Sequence, residues 1–392
     1  MAAQTHSGKG KTLALKWLKW IKRLDRPDGP EYTVKVRSKL ARRLENFACF
    51  APGIAALVFA ILALMLPMLH ARAAGTDAID GAPQVIRIGA GQPYSFAVYA
   101  NHNLQQLPAH VARAVVFVHG VKRNADDYFQ IGLHLLKTAQ FSAADTLLVA
   151  PNFMVQADRG SSSAMPLWSG STWMQGEASE RGVDGVTSFQ ALDDIVHYLA
   201  DRQRFPDLKE IVMIGHSAGA QLMQRYAAVN ELDGPLQQAG IAVRYVISSP
   251  SSYLYFEASR PDGDGFSLPK SIICPGYDNY RYGIGNAPDY LKRQNLDGEQ
   301  LFRRYAGRNI TYMVGARDDN PNHRYLDKAC GAAMQGATRV ERQLNFVRYE
   351  RFLSDQWQIP VKHPEFQVKG AAHEADKLFR SEDTVRRIFP QQ

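Results

Sequence analysis

Ile211-Val212-Met213-Ile214-Gly215-His216-Ser217-Ala218-Gly219 decides how the rest of the chain is read. An apolar, strand-forming run enters a Gly-x-Ser-x-Gly pentapeptide, and from Ala218 to Val229 the sequence is compatible with a helix. A strand that turns sharply into a helix at a serine leaves that residue strained, with its Oγ exposed at the strand's carboxyl end. Gly215 and Gly219 leave room for neighbouring backbone in so tight a turn. Ser217 is thus the candidate nucleophile. The Ala218 N–H, at the start of the helix, can face a developing oxyanion. His216 should project elsewhere, as a packing or hydrogen-bonding residue.

Other β-rich runs flank this one at Val115 to Val118, Leu147 to Val149, Val243 to Ile247 and Ile310 to Val314, with helix-like stretches between them. Strand-helix alternation at this spacing predicts an α/β fold with a mainly parallel sheet covered on both faces by helices. Val85 to Ile88 and Tyr94 to Tyr99 are expected to pair as antiparallel edge strands. Thr187 and Gln190 match a capping box ahead of the stripe Phe189, Leu192, Ile195 and Leu199, a helix that Pro206 should end. After the sixth strand comes an aromatic-rich cap insert, residues 253–307, whose ten Tyr or Phe are about twice the density of the whole chain. Segments this long commonly serve as lids or binding elements, or pack their aromatics inward.

Chain order limits the partners of Ser217. In strand-serine-helix architectures the acid follows the nucleophile and the histidine follows the acid. Only His323, His363 and His373 follow Ser217. His363 precedes Pro364 ahead of the last strand-like run, and His323 leaves no strand between itself and the candidate acids. His373, just beyond Phe366 to Gly370, is the expected base. Asp318 is preferred over Asp319 as the acid that fixes the His373 tautomer, because it ends the run Tyr312 to Arg317. A second oxyanion donor, the Val121 N–H, is expected where Ala114 to Val118 runs into His119-Gly120-Val121, with Asn124, Asp126 and Asp127 capping the helix that follows.

These residues together resemble the α/β-hydrolase superfamily of esterase- and lipase-like serine hydrolases. The likeness rests on His119-Gly120, Gly215-His216-Ser217-Ala218-Gly219, Gly315-Ala316-Arg317-Asp318 and Gly370-Ala371-Ala372-His373, and spans about residues 83–388. It implies a serine-based ester, thioester or amide hydrolase that uses no metal and no organic cofactor, on a fold that also hosts noncatalytic members. Cleavage of a small-molecule or polymeric carboxylic ester is the leading expectation. An amidase or peptidase with the same triad is the alternative, and a membrane-tethered binding protein is the reading from a different class. Trp168 and Trp173, on a Gly/Ser-rich loop from Phe153 to Val186, are expected beside Ser217 as selectors of bulky or apolar substrates, or else as staples fixing that loop to the body.

Composition sets the remaining bounds. The 392 residues are 45% hydrophobic and 21% charged, ordinary for a globular protein. The net charge of +8 comes from one end: residues 1–73 carry thirteen Lys or Arg against four Asp or Glu, and the rest is near neutral. A nucleic-acid partner is therefore not expected. Residues 1–46 form a basic segment with an amphipathic stretch suited to an anionic membrane surface. The 23 uncharged residues Phe47 to Leu69 are long enough to insert in a membrane, and 47–73 reads as a signal anchor or a cleavable signal ending at Ala71-Arg72-Ala73. Basic residues ahead of it would keep the N-terminus in the cytoplasm and export the body. A linker, 74–82, then leads to a hydrolase domain over 83–392. Asp262-Gly263-Asp264-Gly265 reads as a turn rather than a calcium loop. Cys274 and Cys330 either form a bridge in an oxidising compartment or remain free thiols.

Overall fold

A computed structural model describes residues 81–106, 110–270 and 273–389. The basic N-terminal segment, the apolar run Phe47 to Leu69, the Ala71 to Ala73 pattern and the linker up to residue 80 lie outside the described residues. Among the described residues no helix is long and apolar enough to cross a membrane.

Eight strands build one sheet: β1 (Gln84–Ile88), β2 (Tyr94–Ala100), β3 (Arg113–Val118), β4 (Thr146–Pro151), β5 (Glu210–His216), β6 (Ala242–Ser248), β7 (Ile310–Gly315) and β8 (Glu365–Val368). Their spatial order is β1-β2-β4-β3-β5-β6-β7-β8. The β1–β2 and β2–β4 pairs are antiparallel and every pair from β4 to β8 is parallel, so the sheet is mixed but mainly parallel. Central strands covered on both faces should be apolar at nearly every position. In β3, Ala114 to Val118 are all 0% exposed.

The two-residue side-chain period of those strands divides the core. On one face Val116, Ile211, Met213 and Tyr312 pack with helices α2 (Ser188–Ala200), α3 (Ala218–Val229) and α5 (Arg339–Trp357). On the other, Val115, Phe117, Val212 and Ile214 meet α1 (Ala125–Thr138), α6 (Ala375–Arg380) and α7 (Glu382–Ile388). The Thr187 side chain accepts the Gln190 N–H and caps α2 as the sequence predicts. That helix stops at Ala200, ahead of the expected end at Pro206, and the Asp201 carbonyl accepts the next turn's amides instead. Asn124 occupies the N-cap of α1 without capping it; its amide hydrogen-bonds Asp127.

The cap insert packs inward. Tyr253, Leu254, Tyr255 and Phe256 are fully buried, with Tyr253 stacked on Phe346 of α5 and Tyr255 against Tyr349. The insert also supplies helix α4 (Gly298–Ala306), whose Asp297 and Gln300 form a complete capping box. Asp262 to Gly265 is the turn of a short hairpin between Arg260–Asp262 and Gly265–Ser267. A disulfide joins Cys274 of the insert to Cys330, which lies on the segment between β7 and α5. Of the two states left open by the sequence, the bridge is the one present.

Candidate active site

Ser217 stands between β5 and α3 with φ 58° and ψ −116°, a left-handed conformation that costs a non-glycine residue about 1–3 kcal/mol. The glycines beside it explain how the turn closes. A Cβ on Gly215 would lie 2.3 Å from the Gly219 carbonyl oxygen, and one on Gly219 would lie 2.5 Å from the carbonyl oxygens of Val118 and His119. Neither clash can be relieved by moving a side chain. The Ser217 N–H donates to the Ser248 carbonyl at 2.9 Å, which ties the bend to the end of β6.

Two further strand ends deliver the partners. Asp318 follows β7, and His373 follows β8. His373 Nε2 lies 2.9 Å from Ser217 Oγ, and its Nδ1 lies 2.7 Å from Asp318 Oδ2. An ionised carboxylate can only accept, so Nδ1 carries the proton and Nε2 is left to accept from the serine hydroxyl. Burial works to raise the Asp318 pKa, but the hydrogen bond from His373 and the charge of Arg339 outweigh it and hold the carboxyl below its ordinary range. Burial lowers the His373 pKa, opposed by its bond to Asp318. The imidazole is consequently neutral and able to take a proton near pH 7. Asp319, the less favoured acid, is solvent-exposed.

Val121 and Ala218 both border the space beside Ser217. Among the described residues neither backbone N–H donates to a protein acceptor, leaving both free for an oxyanion. The loop carrying Val121 is held by buried His119, whose Nδ1 lies 2.8 Å from the Gly120 carbonyl and whose Nε2 accepts the Phe153 N–H at 3.1 Å. Burial pushes the His119 pKa down to about 4 and keeps the ring neutral, as accepting that N–H requires. His216 is buried, with Nδ1 2.7 Å from the Tyr128 hydroxyl and its ring centroid 4.8 Å from that of His373, so it packs behind His373 and hydrogen-bonds to Tyr128.

The tryptophans are not where the sequence suggested. Trp168 is 2% exposed and Trp173 0%. Trp173 stacks on Phe153 and meets the His119 ring edge-on, while Trp168 packs edge-on against Phe153 and donates its indole N–H to the Glu177 carbonyl at 2.9 Å. Among the described residues neither borders the two cavities at Ser217, so the expectation of a Trp-walled pocket gives way to the stapling role. Apolar rings on a Gly/Ser-rich loop had to be buried somewhere, and the hydrophobic core beneath the loop accepts them.

Among the described residues two cavities meet at Ser217. The larger, about 540 Å³, lies on the His373 side and is bordered by Gly120, Lys122, His323, Tyr325, Glu374 and Arg380. The smaller, about 300 Å³, is bordered by Met174, Gln221, Arg281, Tyr325, Asp327 and Lys328.

Arg339 is the site residue that sequence reasoning missed. It is 1% exposed, its Nη1 donates to Asp318 Oδ1 at 3.1 Å, and its Nη2 donates to the Tyr325 carbonyl at 2.9 Å. The one signal for it was position: Thr338 and Glu341 match a helix start, and an arginine in the first turn is unfavourable for the helix dipole unless a carboxylate answers it.

No protein-family model matches the chain, and no curated protein does. Solved structures do resemble it. Poly(aspartic acid) hydrolase-1 from Sphingomonas sp. KT-1 aligns over 79% of this chain and 98% of its own at 18% identity, with a TM-score of 0.53. The poly(3-hydroxybutyrate) depolymerase LpqC from Bordetella parapertussis aligns over 79% of this chain and 90% of its own at 16% identity, with a TM-score of 0.55. At such identities the likeness is one of fold: the chain has the mixed, mainly parallel sheet and flanking helices of the α/β-hydrolase fold.

Proposed function

We propose that the chain is a serine hydrolase that cleaves carboxylic esters through an acyl-enzyme. The observation that carries this reading is the continuous path from Asp318 through His373 to Ser217, with the serine on a strained bend. Ser217 Oγ attacks the ester carbonyl carbon as its proton passes to His373 Nε2. The oxyanion then draws on the Val121 and Ala218 N–H groups. The carbon–oxygen bond to the leaving group breaks, and His373 returns the proton to the departing oxygen. Water adds to the acyl carbon as one of its protons passes to His373, the bond to Ser217 Oγ breaks, and Oγ takes that proton back from His373 as the acid leaves.

Amide cleavage is the second reading. It needs the same groups, and one protein of similar fold is a poly(aspartic acid) hydrolase, whose substrate is a polyamide. The basic, apolar N-terminal stretch and the Cys274–Cys330 bridge support a site of action outside the cytoplasm, where disulfides persist.

A fluorophosphonate probe tests the nucleophile directly. Labelling should map to Ser217 and be absent from Ser217→Ala and strongly reduced in His373→Ala, with kcat on p-nitrophenyl acetate falling by about 10⁴- to 10⁶-fold in either variant. Folded protein that takes no label at Ser217 would overturn the assignment.

A further inference from the structure

The charges around Ser217 are distributed unevenly. Along the larger cavity, on the His373 side, Lys122 and Arg380 are set against Asp127, Glu374 and Asp376, an excess of one carboxylate. The smaller cavity has the opposite sign, since its wall carries Arg281 and Lys328 against Asp327 alone. Arg281 uses Nη2 to reach Asp327 at 2.9 Å, and among the described residues Lys328 has no carboxylate partner.

The layer behind that wall is also cationic. Arg225 of α3 is fully buried, and its donors go to neutral oxygens: the Met174 carbonyl and the Ser252 hydroxyl, each at 3.1 Å, and the Arg281 carbonyl at 3.4 Å. Burial lowers its pKa to about 10, which still leaves it charged at neutral pH. Arg342, likewise lowered to about 10, donates to the backbone carbonyl of Asp327 rather than to its carboxylate. Buried cations held by neutral acceptors are costly, and the one carboxylate whose charge acts on both, Asp327, is already engaged by Arg281. Their field extends into a cavity that opens on the nucleophile.

We infer that the smaller cavity is a subsite for the acyl half of the substrate and that it takes an acyl chain bearing a carboxylate. This rests on Ser217 being the nucleophile. The leaving oxygen must receive its proton from His373, so the leaving group occupies the cavity that includes His373. The acyl chain is left with the cavity that Ser217 shares with Ala218 but not with His373, Val121 lying at the border of both. A negative chain fits that wall and is disfavoured by the acidic rim opposite, so the two signs together orient the substrate.

The test compares the p-nitrophenyl half-ester of glutaric acid with p-nitrophenyl pentanoate, a neutral chain of the same length. In the full-length protein kcat/KM should favour the half-ester about three- to fivefold at low ionic strength, the scale of one partly screened charge interaction, and the preference should shrink in high salt. Lys328→Glu, an exposed substitution, should abolish or invert the ratio, and Arg281→Gln should reduce it. A ratio at or below one in the unmodified protein, or a ratio that neither variant changes, would overturn the anionic subsite. Failure of the hydrolase reading would look different, with neither ester turned over. In that case calorimetric titration of Ser217→Ala protein with monomethyl glutarate and with methyl pentanoate still decides: tighter binding of the acid, lost in Lys328→Glu, supports the subsite, and equal binding removes it.

Discussion

The position of one buried guanidinium alters how the triad acid behaves. Asp318 offers two oxygens, and the structure assigns them separately: Oδ2 to His373 and Oδ1 to Arg339. Arg339 therefore fixes the carboxylate plane, and its positive charge contributes to lowering the His373 pKa. The sign of its removal follows. Without that charge the imidazolium is less disfavoured, so the acid limb of kcat/KM, which lies below the ordinary histidine value, should move to higher pH in Arg339→Met. It should move back in Arg339→Lys, which restores the charge without the forked geometry. A variant that merely loosened the fold would lose kcat with no shift of that limb, so a pH-rate profile at matched folded fraction separates the two. Ser217, His373 and Asp318 could be found in the sequence because each follows a strand at its carboxyl end, in an order the topology fixes. Arg339 could not, since it reaches Asp318 from the far end of a long connection that no local pattern describes.

Elements were legible in proportion to how much of their pattern is local. The buried parallel strands appear as unbroken apolar runs, and their alternation with helices marks a mainly parallel sheet whose carboxyl ends share one side, the side of Ser217, Asp318 and His373, while the order of the strands was not legible. The loop from Phe153 to Val186 was harder, because a Gly- and Ser-rich composition marks it as a connection but says nothing of its depth. Trp168 and Trp173 anchor it through the aromatic cluster around Phe153, and Trp173 in turn braces His119 at the base of the Val121 loop. Trp173→Ala should then destabilise the fold by about 3–5 kcal/mol, the usual cost of emptying a large aromatic site. It should lower kcat on all esters to a similar degree, because the Val121 loop loses support while the pocket wall does not change. Chemical denaturation paired with a chain-length series of p-nitrophenyl esters checks both. A change in chain-length preference at unchanged stability would return the indole to the substrate site.

At the scale of the whole molecule, the near-neutral body and the basic N-terminus were separable from charge counts alone, whereas the ionisation of buried groups depends on packing that composition does not reveal. Four histidines of the body, His119, His216, His323 and His373, have their pKa lowered, in each case chiefly by burial. An unfolded chain protonates them near pH 6.5 while the native fold resists, so between that pH and the lowered values the unfolded state binds more protons and acid erodes stability. For His119, native at about 4, the loss across this window is about 3 kcal/mol. Carboxylates that burial raises, Asp193, Asp233 and Glu177, oppose the trend. Asp193, which accepts hydrogen bonds from Tyr226 and Tyr290, is raised to about 6 by burial, so it takes up its proton in the native state first and gains stability over much of the same range. With several histidines set against them, the net expectation is a melting temperature that falls from pH 7 to pH 4.5. The two terms separate by substitution under scanning calorimetry: Asp193→Asn should steepen that fall, and His119→Gln should flatten it. A melting temperature that stays level or rises over this interval in the unmodified protein would mean that the native fold admits protons to these rings as readily as water does, contrary to their burial.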